Sequence, residues 1–169
     1  MSRPDTRPVG SGRLSVPVLI ASGLGSGFSR IAPGTMGSLA ALPPGILLSL
    51  HAGLLPLSIL LVCAAGLWAI PRASGGADHG WVVIDEVAGL WITLLGVPMQ
   101  HPPGWRSVGW WMAALLMFRL LDITKPGPIG ALDRRHDALG VMGDDILAGI
   151  LGAVLLVLGR LLLHGMGLA

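Results

Sequence analysis

The chain has 169 residues, of which 53% are hydrophobic and 12% are charged, and its formal net charge is +2 at pH 7. Soluble domains average about 25% charged residues, so this composition and a mean hydropathy of +0.75 exclude an ordinary soluble domain. The length suits one domain of four to six helices. We therefore expect a basic cytoplasmic tail over residues 1–22 and a single membrane-embedded domain over residues 23–169.

Apolar windows predict five helices, at about residues 37–50, 53–70, 87–97, 108–121 and 146–163. The first and third windows are shorter than the ~17 residues that a full crossing needs, so they are either re-entrant or extended at their ends. The predicted fold class is all-α, a polytopic membrane bundle of four to five membrane helices with short or re-entrant segments.

Basic residues indicate the orientation of these helices. If all five cross, the segments before the first, between the second and third, and between the fourth and fifth share one side. The opposite side has only Arg106 and Arg160, so the positive-inside rule predicts that the charged side is cytoplasmic. The basic residues on that side are Arg3, Arg7, Arg13, Arg30, Arg72, Lys125, Arg134 and Arg135.

Carboxylates are concentrated on the same predicted side. Eight of the nine lie between residues 78 and 145, close to the ends of apolar helices. A carboxylate beside hydrocarbon costs about 3 kcal/mol on insertion scales, so such residues normally mark a functional site. The eight are Asp78, Asp85, Glu86, Asp122, Asp133, Asp137, Asp144 and Asp145.

Residues 25–38, with the sequence GSGFSRIAPGTMGS, precede and open the first predicted helix. Glycines and hydroxyls at a helix start present backbone N–H groups that can bind a phosphate. The Gly-Lys-Ser/Thr of nucleotide-hydrolase phosphate loops does not follow. Thr35 is explained equally well as an N-cap.

Asp85 and Glu86 directly precede the third predicted helix. Adjacent side chains on a helix point about 100° apart, so we expect one of them to face the site while the other pairs or bridges. Asp78 and His79, one loop upstream, are candidates for a further ligand or a general base. The alternative is that these acids only cap the helix or interact with its dipole.

Arg119, Asp122 and Lys125 are spaced three residues apart, which places them on one helical face until Pro126 ends the helix. The strip offers cations for a phosphate and a carboxylate oxygen for a metal. A simple intrahelical salt bridge is the alternative.

Asp144 and Asp145 stand at the start of the last predicted helix. Asp144 is therefore a candidate N-cap as well as a candidate ligand, whereas Asp145 is harder to explain as a cap. Arg134 and Arg135, just upstream, can bind anionic headgroups without a catalytic role.

Four ordered segments together resemble bacterial phosphatidylglycerophosphatase A, over roughly residue 23 to the C-terminus. They are residues 25–38, 84–89 (IDEVAG), 118–129 (FRLLDITKPGPI) and 142–149 (MGDDILAG). The resemblance implies an all-helical, Mg²⁺-dependent lipid phosphatase that converts phosphatidylglycerophosphate to phosphatidylglycerol at the cytoplasmic face of the bacterial inner membrane. One departure is Asp137-Ala-Leu-Gly140, where the family usually carries a Gly-Gly pair.

These observations lead to one mechanistic hypothesis. Four carboxylates act in catalysis and, together with Asp144, are candidate ligands for one or two Mg²⁺ ions; they are Asp85, Glu86, Asp122 and Asp145. Arg119, Lys125 and Thr35 bind the substrate phosphate, and an activated water attacks phosphorus. A covalent aspartyl-phosphate route stays open, although its Asp-x-Asp-x-Thr/Val signature is missing.

Three other functions are alternatives to this hypothesis. A phosphatase of another lipid phosphate, such as phosphatidic acid, fits the same placement of charge. A divalent-ion carrier or channel would need carboxylates at mid-membrane and on both sides. A CDP-alcohol phosphatidyltransferase would need an Asp-Gly-x2-Ala-Arg pattern that the chain lacks. We expect the membrane and a lipid substrate as partners and no nucleic acid; the oligomeric state stays open.

Overall fold

A computed structural model describes residues 15–51, 53–76, 79–98, 103–135 and 137–167, and the regular elements in those ranges are helical. A short 3-10 turn occupies Ser26–Phe28. The α-helices of the described residues are α1 (Val16–Ala21), α2 (Pro33–Ser49), α3 (Leu54–Ser74), α4 (Ile84–Leu94), α5 (Trp105–Thr124), α6 (Pro128–Asp133) and α7 (Ala138–Gly165). The predicted all-α fold is confirmed.

Within the described residues, three helices are long and apolar enough to cross a membrane, namely α3, α5 and α7. Their outer faces carry large apolar side chains such as Leu60, Leu116 and Leu162, each about two-thirds exposed. Surfaces of this kind are stable against lipid rather than water. The prediction of a helical membrane bundle is therefore confirmed, and the predicted short third helix corresponds to the 11-residue α4.

The short helix α4 lies at the centre of the bundle. Nine of its eleven residues are buried, and it contacts α2, α3, α5 and α7. A helix that is apolar around its whole circumference is stable in such an enclosed position. Because α4 begins with Asp85 and Glu86, this packing places two carboxylates at one end of the bundle interior.

Glycines bring α4 and α7 into backbone contact. A Cβ atom on Gly149 would lie 2.4 Å from the carbonyl oxygen of Gly89, and one on Gly89 would lie 2.6 Å from the carbonyl oxygen of Asp145. The Thr93 hydroxyl donates to the Gly89 carbonyl at 2.9 Å and is 3.3 Å from that of Gly149. Small residues at the crossing let the two helices approach closely, as is common in membrane bundles.

Helix α2 runs beside α4. Gly37 faces Val83 and Gly45 faces Trp91, where a Cβ atom would lie 2.7 Å from the neighbouring side chain. The Trp91 indole N–H donates to the Ala41 carbonyl at 2.8 Å. The start of α2 therefore lies at the same end of the bundle as the start of α4.

Two short helices were not expected from the sequence. Residues 16–21, assigned above to the N-terminal tail, form α1, which packs against α3 through buried Val18 and Ala21. Helix α6 packs against α7 and buries Ile129. Both helices have six residues, and so short a segment shows too little apolar periodicity to be recognised.

Candidate active site

A cavity of about 310 Å³ lies where α2, α4 and α7 begin and α5 ends. All the residues of the mechanistic hypothesis line this cavity, although they come from four helices. They are Thr35, Asp85, Glu86, Arg119, Asp122, Lys125, Asp144 and Asp145.

Three carboxylates form the centre of the cavity. Asp85, Glu86 and Asp145 each contribute an oxygen atom, and these atoms lie within 4.8 Å of one another. Asp85 and Glu86 are four and three residues before Gly89, and Asp145 is four residues before Gly149. The close crossing of α4 and α7 at these glycines therefore brings the carboxylates together one turn earlier.

The expectation that only one of Asp85 and Glu86 faces the site is wrong, since both line the cavity. Their side chains leave the helix in directions about 100° apart. Glu86 has one methylene group more than Asp85, and the two carboxylates can converge because of this difference in length.

The donor set fits a divalent cation. Glu86 Oε2 is buried and has no hydrogen-bond partner among the described residues. Burial is the largest cause that raises the pKa of Glu86, and the negative charges of Asp145 and Asp122 raise it further. A cation would pair with these oxygens and offset their repulsion. Hard carboxylate oxygens are the ligands that Mg²⁺ prefers.

Asp122 lies beside this group and pairs with Arg119. Arg119 Nη1 donates to Asp122 Oδ2 at 2.6 Å, and the same nitrogen is 4.0 Å from Glu86 Oε1. The intrahelical salt bridge considered above is therefore present, and it lies inside the cavity. Arg119 Nε is buried without a partner among the described residues, so the guanidinium has donor capacity left for a ligand.

Lys125 follows the last residue of α5 in a left-handed conformation (φ 44°), so the helix ends before Pro126, as predicted. Its ammonium group donates to Asp133, and to Asp144 Oδ2 at 2.7 Å. Burial by itself would lower the pKa of Lys125, but the two carboxylates outweigh burial and raise it. Lys125 therefore stays charged at the cavity edge.

Asp144 is not the N-cap of the last helix. Helix α7 begins earlier than predicted, because the Asp137 side chain accepts a hydrogen bond from the Gly140 N–H at 2.8 Å and caps it. Asp144 thus lies in the second turn. One of its oxygens accepts from Lys125 and the other from the Asp145 N–H at 3.0 Å, and Asp144 does not belong to the group of three carboxylates.

Thr35 is not an N-cap either. It is the third residue of α2, whose cap position is Ala32 in a left-handed conformation (φ 44°) with no side-chain cap. The first N–H groups of a helix have no intrahelical acceptor. Gly34 and Thr35, in this first turn, line the cavity, and Gly34 lies beside Arg119 and Glu86. A helix start of this kind favours an anion.

Sequence reasoning did not assign Gly34 to the site, and it did not relate Asp133, which lies outside the cavity, to Lys125. A Cβ atom on Gly34 would lie 2.3 Å from Glu86 Oε1, so this position needs a residue without a side chain. In the sequence, only its position after Pro33 at the start of a helix indicated that Gly34 belongs to the site. Asp133 was counted as a carboxylate, but no helical spacing relates it to Lys125 across Pro126. His79 packs edge-on against Trp81 and does not line the cavity. The candidate Asp78 lies outside the described residues.

Comparisons with known proteins agree on one family. The family described as phosphatidylglycerophosphatase A matches residues 19–160, a range that contains the whole cavity. A protein of that name from Escherichia coli K12 is 42% identical over 143 residues, which cover 82% of this chain and 80% of that protein. Another from Haemophilus influenzae is 37% identical over 145 residues, which cover 80% and 83%.

A third relative has a different name. A Bacteroides thetaiotaomicron protein, provisionally named a phosphatidylinositol-3-phosphatase, is 38% identical over 157 residues, which cover 86% of this chain and 94% of that protein. No solved structure matches the chain.

Proposed function

The chain belongs to the phosphatidylglycerophosphatase A family, and from this membership we propose that it removes the terminal phosphate of phosphatidylglycerophosphate to give phosphatidylglycerol. One observation carries the proposal. A cavity at the end of an apolar helical bundle combines three converging carboxylates, two cations and an uncapped helix start. These are the groups that binding and hydrolysis of a lipid phosphate monoester require.

The phosphate is bound by positive groups from two sides. Arg119 and Lys125 approach it from the end of α5, while the N–H groups of Gly34 and Thr35 approach it from the start of α2. Charge-assisted hydrogen bonds to phosphate oxygens are stronger than neutral ones. Asp122 fixes the Arg119 guanidinium through its 2.6 Å ion pair.

We assign Asp85, Glu86 and Asp145 as the residues that would hold Mg²⁺. When bound there, the ion would supply a Lewis acid for the phosphoryl group and would activate a water molecule. These carboxylates would hold the cation in the cavity, while Lys125 binds the phosphate and Arg119 offsets the charge that develops on the phosphoryl oxygens.

The overall reaction is a hydrolysis. The oxygen of the attacking water forms a bond to phosphorus, the ester bond to the glycerol oxygen breaks, and a water proton ends on that oxygen. Cys63 does not line the cavity, and the convergence of three carboxylates supports a role as ligands, so we propose water as the nucleophile.

Placement in the membrane supports a lipid substrate. The cavity lies at one end of helices that can span a bilayer, so a lipid can present its headgroup there while its acyl chains stay in hydrocarbon. The excess of basic residues on this side favours the cytoplasmic face of the bacterial inner membrane. The described carboxylates of the cavity gather at one end, which gives no support to an ion path through the bundle.

The test is phosphate release from phosphatidylglycerophosphate in mixed micelles, with Mg²⁺ and with a chelator. We expect wild-type protein to release phosphate only with Mg²⁺, and Asp85→Asn to release almost none. Asp137→Asn is the matched control, because this carboxylate lies outside the cavity and asparagine also caps helices well. Chelator-insensitive release by wild-type protein would contradict the metal assignment.

The name of the Bacteroides relative favours a second candidate substrate, a phosphoinositide or another lipid phosphate monoester. The same micelle assay with phosphatidic acid and phosphatidylinositol 3-phosphate compares them directly. A higher kcat/KM for either lipid than for phosphatidylglycerophosphate would move the headgroup assignment to that lipid.

A further inference from the structure

Lys125 is placed by contacts with two helices other than its own. Its ammonium group is paired with Asp133, the last residue of α6, and with Asp144, in the second turn of α7. Its backbone also touches α6, since a Cβ atom on Gly130 would lie 2.8 Å from the Lys125 carbonyl oxygen. The position of Lys125 therefore depends on where α6 packs.

The two carboxylates that hold Lys125 differ in their surroundings. Asp144 is buried, and both of its oxygens are engaged, one by Lys125 and the other by the Asp145 N–H. The Asp133 side chain is 40% exposed, and Asp133 does not line the cavity. Asp133 thus acts on Lys125 from outside and has no contact with the site of the reaction.

The geometry of Lys125 leaves one donor for a ligand. An ammonium group has three N–H donors, and the pairs with Asp133 and Asp144 use two of them. A lysine side chain has four rotatable bonds and loses much of its rotamer freedom when it is fixed. Two carboxylates from two different helices fix it before a phosphate arrives, so binding does not have to order it.

We propose that Asp133 is a positioning residue, which holds the Lys125 ammonium group at the cavity edge so that its remaining donor meets the substrate phosphate. The proposal rests on the proposed function in one respect, that Lys125 binds a phosphate group. Asp133 acts through Lys125 and does not touch the substrate.

The test compares Asp133→Asn and Asp133→Glu in the wild-type background and in Lys125→Met. Full-length protein in detergent micelles is assayed for kcat and KM with phosphatidylglycerophosphate and Mg²⁺. The dissociation constant for inorganic phosphate is measured by titration calorimetry on the same samples, so that variants with little turnover are still compared. Asp137→Asn is the control, because it removes a similar ion pair, with Arg135, outside the cavity.

We expect Asp133→Asn to raise KM and the phosphate dissociation constant about three- to fivefold, the size that a partly exposed ion pair supports, with kcat nearly unchanged. Asp133→Glu should raise both constants much less than Asp133→Asn does, because it keeps the negative charge. In the Lys125→Met background, Asp133→Asn has no further effect on phosphate binding, since residues that act as a unit are not additive. The control leaves both constants unchanged.

The positioning role would be overturned if Asp133→Asn weakened phosphate binding equally with and without Lys125. It would also be overturned if Asp133→Asn left the phosphate dissociation constant unchanged. A fall in kcat at constant KM would also overturn it. Failure of the proposed function looks different: wild-type protein would release no phosphate from the lipid while inorganic phosphate still bound in an Asp133-dependent way.

Discussion

At the scale of single residues, the neighbours Asp144 and Asp145 have different surroundings in one helical turn. Both side chains are buried, but Asp144 pairs with Lys125, whereas Asp145 converges with Asp85 and Glu86. Adjacent helix positions point about 100° apart, so one residue reaches Lys125 and the other reaches the carboxylates of α4. In the proposed function, the pair therefore divides the phosphate-binding and metal-binding tasks.

This division predicts different kinetics for two isosteric variants. Asp145→Asn removes a proposed ligand and should lower activity more than the ~10- to 100-fold typical of outer-shell changes, with a higher Mg²⁺ requirement. Asp144→Asn should raise KM but keep the Mg²⁺ concentration for half-maximal activity. Titrating Mg²⁺ against phosphate release measures both. A larger shift in Mg²⁺ requirement for Asp144→Asn would reverse the assignment.

Gly34 provides a second prediction at this scale. In Gly34→Ala the new methyl group would lie 2.3 Å from Glu86 Oε1 and 3.3 Å from Arg119 Nη1, so one of these groups must move. Misplacement by ~1 Å in a reactive site can cost about 100-fold in rate, and we expect a loss of at least about tenfold. Phosphate release under saturating Mg²⁺ checks it.

The matched control is Gly109→Ala in α5, where a Cβ atom meets nothing within 4 Å. It should keep full activity and gain up to about 1 kcal/mol of stability from helix propensity. Full activity in Gly34→Ala would show that Glu86 and Arg119 can move without consequence.

At the scale of helices, the crossing of α4 and α7 decides whether the carboxylates meet. Gly89 and Gly149 are each one turn beyond their carboxylates, and their backbones touch. Thr93 bridges the same two carbonyl groups with its hydroxyl. Separation of the two helices would therefore separate Asp145 from Asp85 and Glu86.

Gly149→Ala tests this crossing. Its methyl group would lie 2.4 Å from the Gly89 carbonyl oxygen, which is backbone and cannot rotate away. Overpacking of this kind costs about 1–3 kcal/mol, so the melting temperature should fall together with activity and Mg²⁺ affinity. Gly159 is in the same helix, and a Cβ atom there meets nothing within 4 Å. Gly159→Ala should therefore lower neither the melting temperature, nor the activity, nor the Mg²⁺ affinity. Equal behaviour of the two variants would remove the crossing as the cause.

At the scale of the whole molecule, α7 sets the depth of the site in the bilayer. It has 28 residues, about 42 Å at 1.5 Å per residue, and the part beyond Asp145 measures about 30 Å. The hydrocarbon core of a bilayer is ≈ 30 Å thick. If α7 crosses with its C-terminal part in hydrocarbon, the carboxylates lie at the membrane boundary, where a lipid headgroup and water are both available.

The orientation of this boundary is tested with single cysteines in a Cys63→Ser background. Arg72 lies in the last turn of α3, the end from which the chain leads to the start of α4, and His164 lies in the last turn of α7; both are exposed. A membrane-impermeant thiol reagent should label Arg72→Cys in inside-out vesicles and His164→Cys in intact spheroplasts. The reverse pattern would place the cavity on the outer face.

Much of the fold and most of the site followed from local patterns. Long apolar runs predicted α3, α5 and α7, because a helix needs about 20 consecutive apolar residues to cross a bilayer, whatever the rest of the chain does. Carboxylates at helix ends indicated the site residues, because charges beside hydrocarbon are costly without a function. The four motifs identified the family, which the comparisons confirm. The ligand roles and the Mg²⁺ requirement stay predictions.

The remaining features depended on contacts between residues far apart in the chain. Sequence spacing could not show that Lys125 pairs with Asp144, nor that Glu86 converges with Asp145, because no helical period relates positions on different helices. Nor could it distinguish the caps: Asp137 begins α7 instead of Asp144. By itself the sequence determined which residues are costly to bury and which segments are helical. Only the packing of α4 against α7, set by backbone contact at glycines, decided which carboxylates converge, because helices far apart in the chain meet there.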